Sequence, residues 1–437
     1  VVAKLTEYLF FHTLFFLMMT LFFLKMDSSA SIFSPVFWYL SFHGLVFVVK
    51  PILFVLGEYS FIFSYIGYFP EENDLLKTLV VTDLALLAYF SGSFLKNGCT
   101  SSVRINLNWG VVYIRSFQLM SIIVLPLIIF SFVTSGSGFS YDGSTKQMME
   151  MVGGVSINVN STGYVTELKN MMTPYFFLLF VMFGGRKWVW LVLGFYFVYR
   201  VYLGWERVHL VVLIISLMLL WLNGKGRKWI PSWWVVVFVL LVPLFSFLGE
   251  NRNYVKSIFD DSVALEVVDH SGGLDSFDNL DFANFEYLAY IISVVPRDSQ
   301  TYTYGAQYLQ IFTEPVPRVL WPGKPIGEPV KLVDLNEFGN FVGLTKSVVG
   351  DAWLNLGYLG VIVNLFFLGY FLKYLYFKIY INGSNIAKIS WVMLIPFSLQ
   401  LFRDGGIVTI TKFLLFSFFP VFLWLLFILI LRKSDES

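Results

Sequence analysis

Cysteine is nearly missing from this chain. Cys99 stands alone among 437 residues, which leaves no disulfide framework and no thiolate metal site. Histidine is scarce as well, and His12, His43, His209 and His270 fall at spacings that match no metal-ligand pattern. Charge is thin: Asp, Glu, Lys and Arg supply 14% of residues, against roughly 25% in an ordinary soluble domain. The 30 basic and 29 acidic residues nearly cancel to a net +1, and the cations are scattered between apolar runs, so nucleic acid, which needs a basic face, is excluded as a partner. No internal repeat of the kind that marks many secondary transporters is visible. The apolar N-terminal stretch has no cleavage site of small residues and reads as a first span rather than a removable signal.

What fills the chain instead is apolar sequence, 57% hydrophobic and 19% aromatic. The fold expected is an all-α polytopic membrane protein. Runs of about 20 mostly apolar residues fall near 8–24, 34–56, 77–95, 116–133, 171–184, 187–203, 208–223, 229–248, 352–372, 389–402 and 411–431. That is about eleven spans, with ten to twelve allowed. The short runs at 171–184 and 389–402 require helices that extend into flanking polar residues. Three regions follow: an N-terminal bundle over 1–248 with about eight spans, a long external segment over 249–350, and a C-terminal group over 351–437 with about three.

Lys and Arg in the joints set orientation. Lys96, Arg104 and Arg115, then Arg186 and Lys187, then Lys225, Arg227 and Lys228, then Lys373, Lys378 and Lys388, belong to one side with the tail Arg432–Lys433. That side is the cytoplasmic one by the positive-inside rule. The opposite joints are neutral or acidic: Glu71, Glu72 and Asp74, and the Gly/Ser-rich stretch 134–169. The segment 249–350 then lies outside. Its part 257–300 is acidic and loop-like, and the apolar runs Phe285–Val295 and Tyr302–Phe312 are too short to cross, so they read as helices on the membrane or re-entering it.

Residues 312–357 hold five of the fifteen prolines. Pro315, Pro317, Pro322, Pro325 and Pro329 exclude regular helix there and favour a stiff loop able to hold Arg318, Lys324, Glu328 and Lys331 in fixed places. Most arginines at span ends read as snorkelling cations. Arg207 and Arg403 fit that reading badly, because both lie at the outer face. With Arg252 and Arg318 they form either an outward cationic cluster for a phosphate or pyrophosphate, which guanidinium binds bidentately, or structural pairs with Glu206 and Asp404. Asp351, at the mouth of a span, reads either as a helix N-cap or as a general base beside those arginines, with Glu314 and Glu328 as rivals. His209 is expected to bond between helices. Trp321, Trp353, Tyr302 and Tyr304 are candidates for stacking on sugar faces or for interfacial anchors.

The run PVPRVLWPGKP and, after a spacer, GDAWLNLGYLG resemble the PR-x-x-W-P-x-K-P and G-E-x-x-x-N-x-G-x-x-G signatures of the O-antigen polymerases, the Wzy-type oligosaccharide repeat-unit polymerases. Gly204–Arg207 opening a span, Arg403–Gly405, and Ser34–Pro35 before the second span are similar to that family too. Asp351 stands where the family pattern more often has Glu, which keeps the carboxylate and shortens its reach.

The resemblance implies a GT-C-like, O-antigen-ligase-like architecture in a bacterial plasma membrane. It implies a glycosyltransferase, without metal or other cofactor, that moves a growing glycan from undecaprenyl pyrophosphate onto the next lipid-linked unit. The product would be O-antigen of lipopolysaccharide, capsule or exopolysaccharide. Its partners would be the lipid-linked donor and acceptor, membrane lipid and a chain-length-regulating co-polymerase. In that reading Arg207, Arg318 and Arg403 stabilise the departing pyrophosphate, Asp351 acts on the acceptor hydroxyl, and Arg252, Lys324, Glu328, Trp321, Tyr304 and Trp353 bind substrate. The rivals are an O-antigen ligase and a lipid-linked-sugar flippase. A transporter should carry ionisable residues deep in its spans, where the sequence shows only Lys50, Asp83 and Arg200.

Overall fold

The computed structural model describes residues 2–57, 61–95, 104–105, 109–134, 149–152, 155–158, 168–203, 207–232, 283–313, 316, 321, 332–339 and 344–436. In chain order, α1 (Val2–Met26) is followed by α2 (Pro35–His43), which continues through a π-helical turn (Gly44–Val49) into α3 (Lys50–Gly57). Then come α4 (Phe61–Ile66), α5 (Glu72–Phe94), α6 (Val111–Thr134) and an antiparallel hairpin of β1 (Met149–Val152) and β2 (Val155–Asn158), Met149 opposite Asn158. After it come α7 (Met172–Phe183), α8 (Lys187–Leu203), α9 (Arg207–Gly224), α10 (Asn284–Val294), α11 (Gln310–Thr313) and α12 (Ser347–Leu375). The chain closes with α13 (Asn385–Leu394), α14 (Phe397–Asp404) and α15 (Ile407–Glu436).

Among the described residues, 6 helical stretches are long and apolar enough to cross a membrane: Lys4–Met26, Pro35–Gly57, Glu72–Phe94, Val111–Ser131, Ser347–Ile381 and Ile410–Arg432. The pair α13–α14, bent by 41°, makes up to 7. Hairpin aside, this is an all-α multi-pass membrane protein. The expected runs at 171–184, 187–203 and 208–223 form shorter apolar helices, Leu168–Phe183, Lys187–Val198 and His209–Gly224. The run at 389–402 is the bent pair. The run at 229–248 lies almost wholly outside the described residues. As the length argument required, the 171–184 helix begins earlier, in a 3-10 turn at Leu168.

α5 and α12 form the central crossing. A Cβ on Gly92 would lie 1.9 Å from the Phe366 carbonyl oxygen, and one on Gly369 would lie 2.2 Å from that of Tyr89. Each helix thus presents a missing side chain where the other's backbone passes, the close approach that small residues permit between membrane helices.

The joints gather at two ends, and they do so as their charges predict. At the basic end the Lys373 ammonium donates to Asp27 at 2.5 Å and Ser29 at 2.6 Å. There Ile32 N–H donates to Lys228 O (3.1 Å), Asn223 to the Tyr380 hydroxyl (2.8 Å), Ile105 N–H to Asn223 (2.8 Å) and Trp109 to Val181 O (3.0 Å). Arg432 reaches the Tyr113 hydroxyl. Lys373 is 1% exposed and held by Asp27. At the opposite end Arg297 meets Asp74 (3.4 Å), and the Tyr290 hydroxyl donates to Leu335 O (2.8 Å).

α10 bears against one of the two expected placements, that on the membrane surface. Every residue of this helix is buried, so it lies within the protein rather than on a membrane surface. Its sequence NFEYLAYIISV is apolar all round, and a helix of that kind is stable only when covered on every side. Its one charge, Glu286, is 3.1 Å from the Lys50 ammonium, both side chains almost fully buried.

Candidate functional site

α12 is broken near its start. Leu356 and Gly357 leave helical φ/ψ, dividing the helix into an entry segment from Ser347 to Asn355 and a long membrane segment. A break of this kind frees backbone carbonyls. The loop before α11 takes them up: Thr303 donates its N–H (2.8 Å) and hydroxyl (2.9 Å) to Leu354 O, and Tyr304 N–H donates to Asn355 O (3.1 Å). The same loop thereby sets Gln307 and Tyr308 against the entry segment.

A polar network results. Gln307 donates to the Asn355 side-chain oxygen at 2.5 Å, so the amide nitrogen of Asn355 is its donor and reaches the Tyr308 hydroxyl at 2.5 Å. Asn364, from beyond the break, donates to that hydroxyl at 3.1 Å. With both lone pairs engaged, the phenol has only its proton left to give. It gives it to Asp351 Oδ2 at 3.3 Å. Lys346 Nζ is 3.7 Å from Asp351 Oδ1. Burial, and then the negative charge of Asp351, raise the Tyr308 phenol above its ordinary value, which keeps it a neutral donor.

Asp351 itself is 5% exposed. The N-cap reading fails, because the helix begins at Ser347 with Lys346 in the capping position. Asp351 is one turn inside, so its carboxylate is free of that duty and engages side chains from two other segments.

Arg403 comes to the same corner through its backbone. Asn284, at the start of α10, donates to Arg403 O (3.0 Å) and to the carbonyl and hydroxyl of Thr345 (2.8 and 2.9 Å). The end of α14 is thus stapled to the residues that lead into α12, about 6 Å along the helix axis from Asp351. Gly405 completes the contact with φ +65° and a hypothetical Cβ 2.1 Å from Ser347 O. Gly405→Ala therefore combines a left-handed alanine with a backbone clash, and the expected loss is about 2–5 kcal/mol. Thermal unfolding of purified protein measures it.

Trp353 is packed inside the protein. It is 1% exposed, donates its indole N–H to Val295 O (2.9 Å) and has Lys77 over its ring at 4.9 Å, so its edge and one face are engaged within the protein. Tyr304 is exposed and Tyr302 and Trp321 are half-buried, so those three remain open to a ligand. Arg207 opens α9, but its side chain lies outside the described residues, as do Arg252, Arg318, Lys324, Glu328 and Glu314. His209 is buried, its ring centroid 5.1 Å from that of Phe413 on α15, an interhelical contact between rings.

Tyr308, Gln307, Asn364, Lys346 and Lys77 were not singled out from the sequence. Asn355 stood in the quoted GDAWLNLGYLG run without a role. From the same run, Gly357 occupies the break, and Gly360 packs with a hypothetical Cβ 2.2 Å from Ala352 O. The arrangement sets the Asp351 carboxylate beside the Lys346 ammonium and the Tyr308 hydroxyl. Among the described residues no group of three or more His, Cys, Asp or Glu gathers to hold a metal ion. No protein-family model matches the chain, and neither a curated protein nor a solved structure is significantly similar to it.

Proposed function

We propose that this chain polymerises undecaprenyl-pyrophosphate-linked oligosaccharide units into a surface polysaccharide at the outer face of a bacterial plasma membrane. The observation that supports this reading is the buried Asp351, held by Tyr308 and Lys346 at the end of the bundle opposite the basic joints, with the Arg403 segment stapled beside it. In the reaction the bond between the anomeric carbon and the pyrophosphate oxygen breaks, and a bond from the acceptor hydroxyl oxygen to that carbon forms. Asp351 takes the hydroxyl proton. The carrier pyrophosphate leaves with the electron pair, its charge met by Arg403 together with Arg207 and Arg318. Such cations stabilise the transition state more than the ground state, since the leaving charge grows along the path.

Purified protein given only lipid-linked repeat units is expected to make a ladder of polymer on a polysaccharide gel. Transport forms no new bond and gives no ladder, and a ligase gives none without a second acceptor.

A transport reading has one observation in its favour. Ionisable side chains lie within the spans, His12 with Asp83 at 2.7 Å and Lys50, whose partner at 3.1 Å is Glu286 in the first turn of α10, and transporters carry such groups there. Movement of labelled lipid-linked oligosaccharide across proteoliposomes, with no ladder, is the result that selects it.

A further inference from the structure

A second polar site lies between α1 and α5. Asp83 is at the midpoint of α5, about 16 Å of helix from either end, and His12 is near the middle of α1. His12 Nδ1 is 2.7 Å from Asp83 Oδ1, and His12 Nε2 is 2.7 Å from the Phe47 carbonyl oxygen. His12 is 1% exposed, while the Asp83 side chain is 22% exposed toward a groove of about 350 Å³ lined by Tyr8, Phe11, His12, Phe15 and Asp83. The mouth of the groove follows α1, whose Phe10, Phe11, Leu14, Leu17 and Met18 are exposed.

Proton counting constrains this pair. A carbonyl only accepts, so Nε2 must carry a hydrogen. The contact from Nδ1 to a carboxyl oxygen then needs one more proton, on the ring or on Asp83. With it the pair is either imidazolium and carboxylate or imidazole and carboxylic acid, neutral in sum both ways. Without it one 2.7 Å contact must oppose two lone pairs, and that contact has to open.

We propose that His12 and Asp83 form a proton-binding site within the membrane, facing the groove, and that loss of its single proton releases one of the two contacts by which His12 tethers α1. The tether lost is either to α5 through Asp83 or to the π-helical turn through Phe47 O. The titratable groups around it are few among the described residues. From α1 itself comes Tyr8, and from α2 comes His43, its ring centroid 6.3 Å from that of His12. From α3, Lys50 is engaged with Glu286. Among the described residues no hydrogen-bond partner meets either ring nitrogen of His43, so His43 does not compete for the shared proton through a direct bond.

Asp83→Asn separates the proton from the fold. The amide so introduced donates to Nδ1 of a neutral imidazole while Nε2–H still donates to Phe47 O, so both contacts survive without a shared proton. The test is infrared spectroscopy of the full chain in lipid, taken from acid to alkaline buffer, together with hydrogen-exchange protection of α1. Expected are imidazole and carboxyl bands that change together in one step. α1 protection should fall through that same step, and in Asp83→Asn it should hold across the pH at which the wild-type pair loses its proton. Bands that stay flat would overturn the proposal, as would loss of α1 protection at that same pH in Asp83→Asn. Unchanged α1 protection across the wild-type step would overturn the tether release, and this readout needs no variant. None of these results depends on the polymerase reading.

Discussion

Asp351→Asn is expected to lower polymer formation by at least about 100-fold, the lower bound of a general-base contribution, while the protein still accumulates in the membrane. The substitution is chosen because the network tolerates it. The side-chain amide that replaces the carboxylate keeps an oxygen to accept from the Tyr308 hydroxyl, whose other partners, Asn355 and Asn364, are untouched. What it removes is the negative charge beside Lys346 and the capacity to take a proton. Asp351→Glu keeps both but lengthens the arm in a buried space, so partial activity is expected. Initial rates with purified variants and lipid-linked units decide the matter. Full activity in Asp351→Asn would reduce Asp351 to an anchor for Tyr308 and remove the base from the proposed reaction. Arg318→Ala, at a position that the resemblance alone supplies, is expected to abolish polymer too. A ladder of normal length would remove that arginine from the mechanism.

Much of the fold was legible in the sequence because a bilayer imposes a coarse rule on composition. A helix must be long and apolar to cross, and cations collect at one set of joints. The Lys228, Arg104 and Lys373 joints therefore meet as their charges foretold. α10 was less legible, since eleven mostly apolar residues are too few to span and nothing local says whether such a helix lies on a membrane or inside a protein. The deciding partner, Lys50, is more than 200 residues away in sequence.

The site divides in the same way. Asp351 and Arg403 were found because carboxylates and guanidinium groups at span ends are conspicuous against apolar sequence. Tyr308, Asn355 and Asn364 were missed because they become neighbours only through the break at Leu356–Gly357, and a helical reading of 352–372 puts no break there. The burial of the Trp353 indole was not legible for the opposite reason. Its residue type suits a sugar face, but it sits on the entry segment facing Val295, and its burial is a tertiary fact.

Glu286→Ala is expected to cost about 3–5 kcal/mol and to strip most of the protein from the membrane fraction, because it leaves Lys50 as an uncompensated charge in a buried setting. The two side chains are 3.1 Å apart and at most 3% exposed, so solvent gives little relief. The loss should be structural rather than chemical. α10 carries both Glu286 and the Asn284 staple that holds Thr345 and Arg403, and a displaced α10 would disturb the Asp351 corner from behind. Pairing Lys50→Met with Glu286→Leu tests this, since replacing a buried ion pair by apolar residues of similar volume is often neutral or stabilising. Unfolding midpoints and ladder formation, measured together, should fall in either single variant and recover in the double one. Recovery of stability without recovery of the ladder would give the pair a part in function beyond holding α10. It would also strengthen the transport reading, which alone needs charge at that depth.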